Sequence, residues 1–160
     1  MKSNLTISEF RNRLKIHSKI GSPNLKSSLF GIFTMFAGGI SKTFYGLFDD
    51  SAFNLTMNST LFPPLYVIKG KYKNTNSTLN INYTIESNSK FGLLWMKFFP
   101  VFSLIGINLF FILVLKNAPI EVYISFNSFI IFMIFFSRWD MKRRKKNMEQ
   151  KFIEIFEIIQ

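Results

Sequence analysis

The run FFPVFSLIGINLFFILVL, from Phe98 to Leu115, decides the class of the chain. It holds 18 residues without a charge, and 14 of them are Phe, Ile, Leu or Val. A helix of that length reaches about 27 Å, close to the hydrocarbon thickness of a bilayer. Each strongly apolar residue favours insertion by about 0.3–0.6 kcal/mol, so the run gains roughly 4–8 kcal/mol. Pro100, Ser103, Gly106 and Asn108 subtract from that sum without cancelling it. Pro100 falls in the first turn of the apolar run, where a missing N–H costs least. A chain of 160 residues is too small to wrap such a helix on every side as a soluble core.

Ala118 to Ser137 reads as a second span, with its clean apolar part from Val122 to Ser137 and Glu121 near the membrane edge. The link Lys116-Asn117-Ala118-Pro119 permits only a tight hairpin. Beyond the second span stand Arg138, Lys142, Arg143, Arg144, Lys145 and Lys146 against one Asp140; before the first stand Lys90 and Lys97. The positive-inside rule therefore puts both ends in the cytoplasm and the loop outside. Trp95 and Trp139 sit just beyond the cytoplasmic ends of the spans, where an indole lies at headgroup level. Asn108 and Asn127, with Ser103, Ser125 and Ser128, fall within the spans. They read as hydrogen-bonding glue between two helices rather than a conduction path, because no charge lies deep in either span.

The residues before the hairpin change character twice. Thr6-Ile7-Ser8-Glu9 has capping-box spacing, Leu5 and Phe10 occupy staple positions, and Ile7, Phe10 and Leu14 share one helical face up to Gly21-Ser22-Pro23. Leu29–Ile40 is apolar but too short to cross a bilayer as a helix, and reads as a buried strand or interfacial segment. From Thr43 the period becomes two. Strands are expected at Thr43–Phe48, around Phe53-Leu55-Met57, at Leu65–Lys73 and through Leu79-Ile81-Tyr83-Ile85, with Asp49-Asp50 and Lys73–Asn76 as turns. Short turns between them imply an antiparallel meander with one buried face. Asp140–Gln160 reads as an amphipathic helix with a Met148-Phe152-Ile155-Ile159 stripe, which packs on the sheet or, alternatively, offers a docking surface to a partner or second copy.

Composition narrows the chemistry. There is no cysteine, which removes disulfides and thiolate chemistry, and a single His17 leaves little room for zinc or histidine acid–base work. The net charge is +11, but a chain this apolar points to a membrane before nucleic acid, and the basic run abuts a span without a nucleic-acid fold signature. No phosphate loop, carboxylate pair beyond Asp49-Asp50 or activated nucleophile is present, so no catalytic residue, cofactor or metal ligand is assigned. Five N-x-S/T sequons, at Asn4, Asn54, Asn58, Asn76 and Asn82, fall on the cytosolic side of this topology and read as chance products of Asn-rich composition.

Residues 43 to 137 resemble a family of small bacterial membrane proteins with no assigned activity. The likeness rests on Phe44 and Gly46, Phe53 and Leu55, Asn58 and Ser59, Pro63 or Pro64, Gly70, and Thr78 followed by Leu79, Ile81 and Tyr83, leading into the paired spans. Where that family often carries arginines around the N-S element this chain has Met57 and Thr60, so no charged role passes to it. The resemblance implies a cytosolic sheet attached to a membrane hairpin and transfers no catalytic residues. Gly46 and Gly70 read as sites of a bulge or close backbone approach, and Asn58-Ser59 and Pro63-Pro64 as a shaped connection.

The expectation is an α+β membrane protein with an N-terminal helix, a small antiparallel β-meander, a two-helix transmembrane hairpin and a C-terminal amphipathic helix. Its parts are a cytosolic region 1–89, the hairpin 90–137 and a basic juxtamembrane helix 138–160. The expected location is a bacterial inner membrane with both termini cytoplasmic. The expected role is non-enzymatic: an adaptor or accessory subunit whose β-domain contacts a protein partner or a second copy, with a lipid-binding or membrane-sensing module as the alternative. A channel-forming protein is disfavoured because more than half the chain lies outside the spans.

Overall fold

The structure, a computed structural model, describes residues 1–22, 42–58, 64–75, 78–115 and 119–159. The segment Leu29–Ile40, Ser59, Pro63 and Lys116–Ala118 lie outside the described residues. Among the described residues the fold is α+β, with a mixed sheet and three helices, two of them long and apolar. The strands are β1 (Lys2–Ser3), β2 (Ser18–Ile20), β3 (Phe44–Phe48), β4 (Ala52–Met57), β5 (Tyr66–Thr75), β6 (Thr78–Ser87) and β7 (Ile158–Ile159). The helices are α1 (Ile7–His17), α2 (Lys90–Leu113) and α3 (Ile120–Ile155).

Two compact units result. Residues 1–89 join residues 144–160 in one, and residues 90–143 form the other. In the first, sheet order is β2-β3-β4-β5-β6-β1-β7. The meander β3 to β6 is antiparallel and in continuous register, from Phe44↔Met57 through to Thr75↔Thr78, with no bulge. The sheet is not wholly antiparallel as expected, because β2 runs parallel to β3 with Ser18 beside Phe44. Crossing the sheet on α1 delivers the chain to the far edge in that direction, since β1 lies between β6 and β7.

The capping box that opens α1 is present. Thr6 Oγ1 accepts from the Glu9 N–H at 3.3 Å, and the Glu9 carboxylate accepts from the Thr6 N–H at 2.8 Å. The Thr6 N–H and the Thr6 hydroxyl, each donating to the Glu9 carboxylate at 2.8 Å, hold that carboxyl below its ordinary pKa. Phe10 and Leu14 are fully buried, and Leu5 joins them as the staple predicts. The other cover on this face is the end of α3, through Met148 and Phe152, with Phe156 just beyond it. Phe152 touches Phe44, Phe53, Tyr83 and Phe156 at ring-centre distances between 4.9 and 6.2 Å. The core is thus an aromatic layer between one sheet face and two helix segments remote in sequence.

The C-terminal helix is not a separate element. It is the continuation of the second apolar helix, and it stops at Ile155 rather than carrying its stripe to Ile159. Glu157 takes φ 47°, the left-handed turn that ends helices, and Ile158–Ile159 becomes a strand against β1. Arg13 secures this turn: Nη1 donates to Ile155 O at 2.7 Å, and Nη2 bonds the Glu157 carboxylate. A cation at the α3 C-terminus also meets the negative end of the helix dipole. Ser3 Oγ donates to Phe156 O at 2.7 Å, so both ends of the described chain are clasped in one sheet.

Candidate functional site

The second unit is the apolar hairpin. Its helices begin and end away from the expected limits of 98–115 and 118–137, because Lys90–Lys97 is itself helical and α3 runs unbroken through its basic run. Only 6% and 11% of the most apolar windows of α2 and α3 are buried. Core helices of a soluble protein bury such surface. Phe102, Ile112, Leu113, Phe129, Phe132 and Phe135 each stay at least 59% exposed. Both helices are long and apolar enough to cross a membrane.

Two polar devices join the helices inside this apolar surface. Asn108 Nδ2 donates to Asn127 Oδ1 at 2.7 Å, and Asn127 Nδ2 returns a bond to Asn108 Oδ1 at 3.1 Å. The second N–H of each amide turns back on its own helix, from Asn108 to Leu104 O at 2.8 Å and from Asn127 to Tyr123 O at 2.9 Å. Every amide donor is used and each carbonyl oxygen accepts, so the pair is closed on itself. Phe111, 5% exposed, packs beside it on Tyr123 and Phe126, at 4.7 and 5.7 Å between ring centres.

The second device answers the proline. Pro100 lies inside α2 rather than at its first turn, and it is buried. It has no N–H for the carbonyl four residues earlier, which is Met96 O. Ser137 Oγ, from α3, donates to that oxygen at 2.6 Å. Ser137 is 6% exposed, so its hydroxyl and the freed carbonyl satisfy each other away from water. The sequence reading missed this pair. The signal was present: a proline within an apolar helix always leaves a carbonyl that a neighbouring hydroxyl can take.

The flanking residues lie at the two outer ends of the hairpin's sequence, before the first apolar run and after the second. Trp95 stacks between Phe91 and Phe99, at 6.2 and 5.0 Å, and is 55% exposed. Trp139 lies against Phe136, with the Arg143 guanidinium 5.1 Å from its ring centre. Lys97 Nζ stands 5.2 Å from the Phe98 ring. Arg138, Lys142, Lys145 and Lys146 are exposed, and Arg144 is partly buried in the sheet unit.

The described motif residues of the sheet pack in its core or bond its backbone. Phe44, Phe53 and Leu55 are core. A Cβ at Gly46 would stand 2.0 Å from Asn54 O, and one at Gly70 would stand 2.4 Å from the Phe53 ring, so both glycines mark close approach. Asn58 Nδ2 donates to Lys42 O at 2.8 Å, Pro64 is buried, and Thr78 Oγ1 donates to Thr75 O at 2.8 Å. Asp49 is a turn residue: Oδ1 accepts from the Ser51 and Ala52 N–H groups, both at 2.7 Å, and from the Ser51 hydroxyl. Those bonds hold its carboxyl below the ordinary value. Among the described residues no three His, Asp or Glu side chains gather as a metal site. Compared with known protein families, curated proteins and solved structures, the chain matches none.

Proposed function

We propose that this is a two-span protein of a bacterial inner membrane whose hairpin anchors a cytosolic sheet domain. The domain serves as a non-enzymatic interaction module, an adaptor or accessory subunit of a larger assembly. One observation carries the reading: residues 1–89 and 144–160, from either side of the hairpin, share a single core. A folded core cannot be divided by a bilayer, so both ends of the hairpin emerge on one side. The basic run Arg138–Lys146 supports the cytosolic side. The closed amide pair supports an anchoring hairpin over a conducting one, because its polar groups face each other and offer nothing to a passing ion.

The chain has no native cysteine, so single substitutions test this directly. With a membrane-impermeant maleimide on intact spheroplasts, Asn117→Cys should label and Asn12→Cys should label only after lysis. The reverse pattern would overturn the orientation, and labelling of both without lysis would overturn the two-span reading. Purification in mild detergent tests the module: a strictly monomeric protein with no co-purifying partner counts against the adaptor role.

A further inference from the structure

The sheet has a second face, opposite the aromatic core. On β5 the side chains of Ile68 and Tyr72 enter the core, so Lys69, Lys71 and Lys73 alternate onto the other face, and all three are exposed. Register extends the set across strands. Lys73 pairs with Asn80, and Asn80 pairs with Lys2 on β1, also exposed. Asn82 and Thr84 complete the surface beside Lys71 and Lys69. Among the described residues the one acid on this face is Glu86, whose carboxylate bonds Lys69 at 2.9 Å. A shallow concavity of about 710 Å³ opens at this face, lined by Lys69, Lys71 and Asn82 and also by the apolar Met1, Phe53 and Ile81.

We infer that this lysine face binds anionic phospholipid headgroups. Charge complementarity requires an anionic surface, and composition selects which one. Protein interfaces favour Arg, Tyr and Trp and deplete Lys. The cations here are all lysines among asparagines and threonine, with no Arg and no exposed indole. Lysine is a strongly hydrated point charge on a flexible stem, suited to mobile phosphates rather than to the planar fork that carboxylates favour. Headgroups are also at high effective concentration, because only Asn88 and Ser89 separate β6 from α2. The inference rests on the two-span reading and is independent of any protein partner the domain takes elsewhere.

The test uses the full chain in nanodiscs of phosphatidylcholine alone or with phosphatidylglycerol at about two to one, each lysine being expected to add roughly fivefold to surface binding. Asn82→Cys reports on the face and Asn12→Cys, exposed on α1, on another surface. A neutral maleimide should label Asn82→Cys at least about tenfold more slowly in anionic discs, and Asn12→Cys equally in both. Added salt should abolish the difference. So should Lys69→Gln, Lys71→Gln and Lys73→Gln together, which change exposed positions and leave the core intact. Equal labelling of Asn82→Cys in both discs would overturn the inference. Equal protection of Asn12→Cys, or protection of Asn82→Cys by polyglutamate but not by anionic discs, would overturn it too. Release of the chain by alkaline carbonate is a separate result, which removes the two-span reading instead.

Discussion

Ser137 and Pro100 depend on each other through one carbonyl oxygen. Removing the hydroxyl in Ser137→Ala leaves the part-buried Met96 O unpaired, whereas Pro100→Ala supplies the N–H that α2 lacks. With Pro100 in place, Ser137→Ala should therefore lower hairpin stability by about 1–2 kcal/mol. In the Pro100→Ala background the same change should cost nearly nothing, in a double-mutant cycle read by steric trapping in bicelles. Equal losses in both backgrounds would mean the contact carries no energy. The same cycle on Asn108→Leu and Asn127→Leu should show each single change costing about 1 kcal/mol and the double change less than their sum, since the second substitution removes an already orphaned amide. Asp49 gives a pH signature. Its folded pKa is lowered by the Ser51 and Ala52 donors, so its contribution is full above the ordinary carboxylate range and is lost as pH falls through the folded value. Asp49→Asn keeps an acceptor without the charge. The difference in thermal midpoint between the two proteins should be constant near neutrality and shrink below about pH 4.

At the scale of elements, α3 does two jobs that the sequence shows unequally. Its apolar first part and its Met148-Phe152 stripe were both legible, because side-chain period and hydropathy report burial directly. The stop at Ile155 was not, since Ile159 continues the stripe and the left-handed residue is Glu157 rather than glycine. Strands β4, β5 and β6 were readable by alternation. Strands β1, β2 and β7 were not, because two or three residues show no period and their pairing is decided by partners far away in sequence. Asn108 and Asn127 were legible as polar residues within the spans, but the Pro100–Ser137 contact needed the backbone accounting of a helix interior. Phe152→Ala tests the helix end: it empties a fully buried site among four rings and should cost about 3–5 kcal/mol. Hydrogen exchange should then rise through β3 to β6 while the amides of α2 near Asn108 keep their protection.

For the whole molecule, the hairpin is an insertion in a domain whose sequence is discontinuous. Residues 1–89 contain β1 to β6 and α1, yet the face they leave open needs Met148, Phe152, Phe156 and Ile158 from beyond the hairpin. A fragment of residues 1–89 should therefore remain unfolded or aggregate through its uncovered aromatic face. Replacing residues 90–143 with a flexible Gly/Ser linker of about 20 residues, long enough to span about 25 Å, should restore the core without the spans. That chain should be soluble without detergent, unfold in one cooperative urea transition, and lose the transition again on Phe152→Ala. If the 1–89 fragment alone gave the same transition, the C-terminal segment would be dispensable and the case for both hairpin ends on one side would fail with it. If instead only the linked chain folds, the apolar hairpin is threaded into a domain that closes once Met148 to Ile159 have been made, because β7 and the α3 end complete the sheet edge and the core. Pulse-labelled folding of ribosome-bound chains ending at Arg143 should then show an inserted hairpin beside a protease-sensitive N-terminal half, and release of the full chain should convert that half to the resistant form.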